Sequence, residues 1–236
     1  MSSGPIRGTS ASTAPPTRPS PRSVAELGIA PQAMALYDNL SGEENVTFIA
    51  RIYGLRGSAL KQAVDRALEL VGLSDRRTDR AFGYSGGMKR RLNLACALVH
   101  DPPVLLLDEP TAGVDPQSRN HLLDSIASLA RQGRTVLYTT HYMEEAQKLC
   151  RRVGVMDKGK LLAIGTVDEL LAKYGGRSVV EVEVDGEPER KRFDSDDPLN
   201  DLTALAGRGA KVRSFRVDRP DLESVFLHLT GRRLRD

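Results

Sequence analysis

The Ser85-Gly86-Gly87-Met88 run combines residue types that can bind a phosphate group. Glycines let backbone N–H groups approach a phosphate closely, and the start of a helix adds a partial positive charge. Apolar residues at helical spacing after Ser85 predict a helix that runs to about Val99 with one buried face. A capped helix start, which Ser85 would also provide, explains the run equally well when it is taken alone.

Two adjacent carboxylates and a histidine follow short apolar runs. The residues Val104–Glu109 read VLLLDE and predict a strand that is buried on both faces of a parallel sheet. Asp108 would then lie at the carboxyl end of that strand, where open α/β sheets form ligand crevices. A structural pair of carboxylates is the less favoured alternative. His141 comes just past another predicted buried strand, Thr135–Thr140, whereas the remaining histidines are expected on solvated surfaces: His100, His121 and His228.

The elements between these residues indicate an α/β fold. Asp115-Pro116 predicts a helix N-cap with proline at the first helical position. The helix that follows would bury a stripe of four apolar residues, Leu122, Leu123, Ile126 and Leu129. Strands that alternate with helices of this length predict a right-handed, mostly parallel layer.

The chain divides into three parts by composition. Residues 1–22 are rich in Pro, Ser, Thr and Arg and are expected to be disordered. Residues 23–170 form the main domain, and residues 171–236 predict a small α+β appendage. Its predicted elements are a strand at 178–184 with a hairpin turn at Asp185-Gly186, a return strand at 191–193, a helix at 199–206, a strand at 211–217 and a helix from Pro220. No catalytic pattern occurs in this part, so packing or dimer contact is the expected role.

Composition excludes several classes of protein. The chain is 40% hydrophobic and 28% charged, and no apolar run approaches the roughly 18 residues that a membrane helix needs. Its start has no apolar segment typical of a secretory signal peptide. Cys96 and Cys150 form no metal-binding spacing and are expected to be reduced thiols. The basic clusters are not interleaved with aromatic residues, so no nucleic-acid partner is expected.

Taken together and in order, these motifs resemble the nucleotide-binding domain of ABC transporters over about residues 24–165. The resemblance implies a partial P-loop NTPase-like α/β domain with a helical subdomain at about 33–83. It implies that Asp108 positions Mg²⁺ through water, that Glu109 is the general base and that His141 is the switch histidine at the γ-phosphate. Gln32, after the run Leu27–Pro31, would be the Q-loop glutamine that senses Mg²⁺ and the attacking water.

The same resemblance makes Ser85, Gly86, Gly87 and Met88 the signature motif, which contacts ATP held by the opposite subunit of a dimer. Met88 stands where glutamine is commoner, and Asp115 is both helix cap and D-loop residue. The C-terminal run Asp221–Leu227 resembles a subgroup that exports drugs, antibiotics or polysaccharides. The resemblance therefore implies an ATP- and Mg²⁺-dependent exporter subunit at the inner face of the cell membrane, paired with a separate permease and a second nucleotide-binding domain.

One family motif has no counterpart among the 236 residues, because no G-x-x-x-x-G-K-[ST] run occurs. Without this Walker A loop we expect weak or absent ATP binding, impaired hydrolysis, and poor solubility or dependence on a partner. The origin would be either a wrong start or reading frame or a natural truncation. Two alternatives stay open at this point: a non-catalytic subunit that offers Ser85–Met88 to a complete partner, and a non-transport ABC ATPase.

Overall fold

The computed structural model describes residues 26–186 and 189–231. The predicted disordered leader, residues 1–22, lies outside the described residues. The described helices are α1 (Gly42–Ile52), α2 (Gly57–Leu70), α3 (Gly86–Leu98), α4 (Pro116–Arg131), α5 (Met143–Leu149), α6 (Val167–Tyr174), α7 (Pro198–Gly207) and α8 (Leu222–Thr230). The described strands are β1 (Leu27–Ala30), β2 (Val104–Asp108), β3 (Thr135–Thr139), β4 (Val153–Asp157), β5 (Lys160–Gly165), β6 (Ser178–Val184), β7 (Lys191–Ser195) and β8 (Val212–Asp218).

These elements form two compact units. The first contains the described residues up to Leu107 together with Gly113–Ser118 and Ser128–Leu137. The second contains Asp108–Ala112, Arg119–Ala127 and the described residues from Tyr138 onward. Among the described residues, no helix is long and apolar enough to span a bilayer.

The first unit combines a parallel sheet with a small helical bundle. The sheet has the order β1-β2-β3, and β1 and β2 pair in parallel from Leu27 opposite Val104 to Ala30 opposite Leu107. The helices α1, α2 and α3 pack on one another, and α3 also packs on β1. Ser41 begins α1 with a capping box, in which its hydroxyl accepts from Glu44 N–H and the Glu44 carboxylate accepts from Ser41 N–H. The predicted parallel α/β layer is therefore present.

Three burial patterns differ from those predicted. In β2 only Leu105 and Leu107 are fully buried, so one face of the strand is more enclosed than the other. The strand β3 is not buried: it lies at one edge of the described three-stranded sheet, and Leu137 is 60% exposed. The helix α3 and its C-cap residue are buried at every position from Leu92 to Val99, so burial is not confined to one face.

The second unit contains two small antiparallel sheets and their covering helices. The helices α5 and α6 pack on α8 around a core of Ala146, Val155, Leu170, Leu222, Val225 and Phe226. The sheet β7-β6-β8 buries Val180, Val182 and Val184 of β6 against Leu202 of α7. The predicted α+β appendage is present, although α8 begins at Leu222 with Asp221 as its cap, two residues later than predicted.

His100 is also not the solvated residue that the sequence predicted. Its ring stacks on Tyr53 with centroids 3.6 Å apart, and its Nε2 lies 3.2 Å from the Leu27 carbonyl oxygen. Partial burial disfavours the imidazolium and lowers the pKa of His100.

Gly28 lies where β1 approaches its neighbours too closely for a side chain. A Cβ atom there would be 2.3 Å from the Ala97 carbonyl oxygen, 2.7 Å from Pro102 Cγ and 2.8 Å from a Leu105 methyl group. We predict that Gly28→Ala lowers the free energy of unfolding by about 1–3 kcal/mol through overpacking, measured by urea denaturation. The matched control is Gly207→Ala, where a Cβ meets no atom within 4 Å. An unchanged urea midpoint in Gly28→Ala would contradict the prediction.

Candidate functional site

Asp108 and Glu109, the acidic pair, belong to the second unit and lie at the end of β2. Asp108 is the last residue of the strand, and the Thr139 hydroxyl donates a hydrogen bond of 2.5 Å to its Oδ1. The Glu109 N–H donates to both the carbonyl and the hydroxyl oxygen of Thr139, each at 3.2 Å. Glu109 itself has φ +43°, in the left-handed region that few residues other than glycine adopt. Thr139 therefore holds the side chain of Asp108 and the backbone of Glu109 in a defined arrangement.

His141 is part of the same arrangement. Its Nδ1 lies 3.1 Å from Glu109 Oε1, and the two side chains are 38% and 27% exposed. Because the carboxylate accepts from Nδ1, the ring keeps Nε2 for another partner. The structure thus brings together three of the residues that the sequence predicted, Asp108, Glu109 and His141.

A cluster of hydrogen bonds around Glu145, close in sequence to His141, was not predicted from the sequence. Glu145 on α5 is 4% exposed and accepts hydrogen bonds from the hydroxyls of Thr111, Tyr138 and Thr140. Burial is the main cause of a raised pKa of Tyr138, and its bond to Glu145 adds to it. The only sequence signal was the pair Glu144-Glu145 in the first turn of a helix, which does not say which of the two faces inward.

The residues Ser85–Met88, called here the signature run, belong to the first unit and begin α3. Ser85 is the N-cap, and its hydroxyl accepts from Met88 N–H at 3.2 Å. Gly86 and Gly87 are the first two residues of the helix, so their N–H groups are among those that a helix leaves without intrahelical partners. The capped helix start is present, and it is compatible with anion binding at the same N–H groups.

Asp115 lies beside the signature run in the first unit. It caps α4 by accepting from Ser118 N–H at 2.9 Å, and this bond to the charged form lowers the pKa of the Asp115 carboxyl. A Cβ on Gly87 would be 2.6 Å from both Cβ and Oγ of Ser118 and 3.3 Å from Asp115 Oδ2. The two helix starts therefore approach each other at a position where only glycine fits.

Gln32 also lies in the first unit, just beyond β1. It is exposed, and its backbone carbonyl accepts from Arg90 Nη1 at 2.5 Å. The preceding carbonyl, that of Pro31, accepts from the Asn93 amide at 3.1 Å. Both donors belong to α3, so the helix that carries the signature run also fixes the segment of Gln32.

The adjacent glycines Gly86 and Gly87 give a matched test of the close contact between the starts of α3 and α4. We predict that Gly87→Ala lowers the free energy of unfolding by about 1–3 kcal/mol, because its Cβ would overlap Ser118. Gly86→Ala is the control, since its Cβ would meet nothing closer than 3.6 Å. Ser118→Gly in the Gly87→Ala background should recover part of the loss in urea denaturation. Equal losses in the two alanine variants would show that the contact with Ser118 is not the cause.

Known proteins resemble this chain along most of its length. The ABC transporter family profile matches residues 2–112. The linearmycin resistance ATP-binding protein LnrL of Bacillus subtilis is 40% identical over 237 aligned positions, which cover 89% of this chain and 76% of that protein. The Nod factor export ATP-binding protein I of Cupriavidus metallidurans is 38% identical, with 92% and 76% covered. The daunorubicin resistance ATP-binding protein DrrA3 of Streptomyces coeruleorubidus is 36% identical, with 87% and 72% covered.

Solved structures give the same relationship. An ATP binding subunit of an ABC transporter superposes with a TM-score of 0.58 at 26% identity, over 66% of this chain and 65% of the solved one. CbiO1 from Clostridium perfringens, part of the ABC transporter complex cbiONQ, superposes with a TM-score of 0.58 at 28% identity, over 64% and 61%. The chain thus spans slightly less than two thirds of these solved chains. From its relatives and its fold, the chain belongs to the ABC transporter family and contains part of that family's nucleotide-binding domain.

Proposed function

We propose that this chain is the ATP-binding subunit of an ABC exporter of the drug- or antibiotic-resistance class. The observation that carries the proposal is the pairing of His141 with Glu109, at the strand end where Asp108 is held by Thr139. The names of the relatives support the exporter class, since they refer to linearmycin resistance, Nod factor export and daunorubicin resistance. They also make a non-transport ABC ATPase the weaker alternative.

The oxygen donors of this site fit Mg²⁺ bound together with ATP. Mg²⁺ in phosphate-transfer sites is usually held by one or two carboxylates and by substrate phosphates, not by a complete protein cage. Asp108 supplies such a carboxylate, and within the described ranges no group of three or more His, Cys, Asp or Glu side chains could form a complete cage. Asp108 would position the ion through water, and the ion would neutralise charge on the phosphates.

Glu109 and His141 supply the remaining chemistry of the proposal. Glu109 would accept the proton of the attacking water, a role that requires a carboxylate fixed near the reacting phosphate. Its bond to Nδ1 orients the imidazole, so that Nε2 is the nitrogen that would contact the γ-phosphate. Gln32 would contribute from the segment after β1, where it would sense the ion and the attacking water.

The partners of the proposed subunit are a second nucleotide-binding domain and a membrane permease. The signature run Ser85, Gly86, Gly87 and Met88, with Asp115 beside it, would contact ATP held by the second domain through the N–H groups of Gly86 and Gly87. Coupling to the permease would hold the chain at the cytoplasmic face of the membrane. No nucleic acid is required by this proposal.

We predict that the 236-residue chain alone neither binds ATP measurably nor hydrolyses it. A Walker A loop supplies several charge-assisted hydrogen bonds of about 1.5–3 kcal/mol each. A Kd of about 10 µM corresponds to a binding free energy of only about −7 kcal/mol, so a chain without the loop loses most of the free energy of ATP binding. The same chain preceded by a phosphate-binding segment grafted from an intact family member should bind MgATP and hydrolyse it. Glu109→Gln in the grafted chain should abolish turnover and retain binding. Calorimetry and phosphate release measure the two quantities.

The grafted chain with Leu162→Ala, a change outside the proposed site, is the control for handling and folding. Tight MgATP binding by the ungrafted chain would contradict the prediction about the loop. Full turnover in the grafted Glu109→Gln variant would contradict the role of Glu109.

A second candidate function is that of a non-catalytic subunit that serves a complete partner. It is supported by the capped start of α3, where the N–H groups of the signature run can contact a phosphate that another subunit holds. We predict that the chain stimulates ATP hydrolysis by a complete subunit whose own signature serine is replaced. Ser85→Arg in this chain should abolish the stimulation, because a bulky cation replaces the capping hydroxyl at the helix start. Equal stimulation by the parent chain and Ser85→Arg would rule out this function.

A further inference from the structure

The buried carboxylate of Glu145 has no role in the proposed mechanism. Three hydroxyls converge on its Oε2: Tyr138 at 2.7 Å, Thr111 at 2.9 Å and Thr140 at 2.9 Å. A carboxylate in so enclosed a place is retained only with such compensation, since burying an unpaired charge is costly. The adjacent Glu144 is exposed, so the two neighbouring acids differ completely in surroundings.

The hydroxyl donors come from the two segments that carry Glu109 and His141. Thr111 follows Glu109 by two residues, in a turn closed by the bond from Ala112 N–H to the Glu109 carbonyl at 3.1 Å. Thr140 directly precedes His141. Through Oε2 alone, Glu145 therefore binds both segments at positions one or two residues from Glu109 and His141.

Thr140 extends this connection around His141. Its hydroxyl has one hydrogen, which it donates to Glu145, and its oxygen accepts from Tyr142 N–H at 2.9 Å. The residues before and after His141 are thus fixed by one chain of hydrogen bonds that starts at Glu145. Arg119 adds a further contact, with its guanidinium 4.5 Å from the centre of the Tyr142 ring and its Nε 3.7 Å from Glu145 Oε1.

We propose that Glu145 is a positioning residue that holds the His141 imidazole in its hydrogen bond with Glu109. This inference rests on the proposed function only for the significance of that pair. Its geometric content concerns the described residues alone and can be tested without nucleotide. Removing the carboxylate would free three hydroxyls to rotate, and Thr140 would then no longer orient the backbone on both sides of His141.

The test is the ring-nitrogen NMR spectrum of His141 in the full, ¹⁵N-labelled chain, assigned by its loss in His141→Gln. Glu109→Ala defines the signals of an imidazole that has lost its Nδ1 partner. We expect Glu145→Ala to move the His141 signals most of the way to those of Glu109→Ala. Glu145→Gln, which keeps an oxygen for the hydroxyls, should restore them toward the parent, and Glu144→Ala should leave them unchanged.

Parental His141 signals in a folded Glu145→Ala variant would overturn the proposal. If that variant does not fold, Thr140→Val and Thr140→Ser decide the matter, since valine removes the linking hydroxyl at nearly constant shape and serine keeps it. Signals shifted in the valine variant and parental in the serine variant support the proposal, whereas parental signals in both overturn it. None of these outcomes depends on ATP turnover, so failure of the proposed function would be seen separately.

Discussion

The hydrogen bonds between Thr139 and the Asp108-Glu109 pair are the constraint on which the candidate site depends. One threonine accepts from the Glu109 N–H through two oxygens and donates to Asp108 through its hydroxyl. The ends of β2 and β3 are joined by these bonds, because Glu109 follows β2 directly and Thr139 ends β3. Thr139 therefore fixes the Asp108 carboxylate and the Glu109 backbone, and Glu109 in turn contacts the His141 ring. Such preorganisation is what electrostatic catalysis at phosphate groups requires.

Local rules of sequence predicted the starts of α3 and α4. Ser85 and Asp115 are N-caps at the predicted positions, because their short polar side chains can satisfy only the N–H groups two or three residues ahead. The apolar stripe of α4 is buried as its spacing predicted. In each case the information lies within one or two helical turns of the chain.

Sequence reasoning failed where the answer depends on distant neighbours. An apolar run such as that of β3 has the same composition at an edge of a sheet as at its centre, so the exposure of Leu137 could not be read from it. Glu144 and Glu145 are likewise identical in type and adjacent in sequence. Only the positions of three hydroxyls from other segments decide that Glu145 is the buried member. The missing information was tertiary in every case.

The left-handed backbone of Glu109 limits which residues can occupy that position at all. With φ at +43°, a β-branched side chain would be strained whatever its charge, while glycine would fit the backbone and lose the carboxylate. Asparagine and aspartate tolerate this region better than most residues, but their shorter side chains would withdraw the polar group from His141. The residue at position 109 must therefore satisfy a conformational and a chemical requirement at the same time. A series of substitutions there would measure two separate effects, backbone strain and the loss of the carboxylate beside His141.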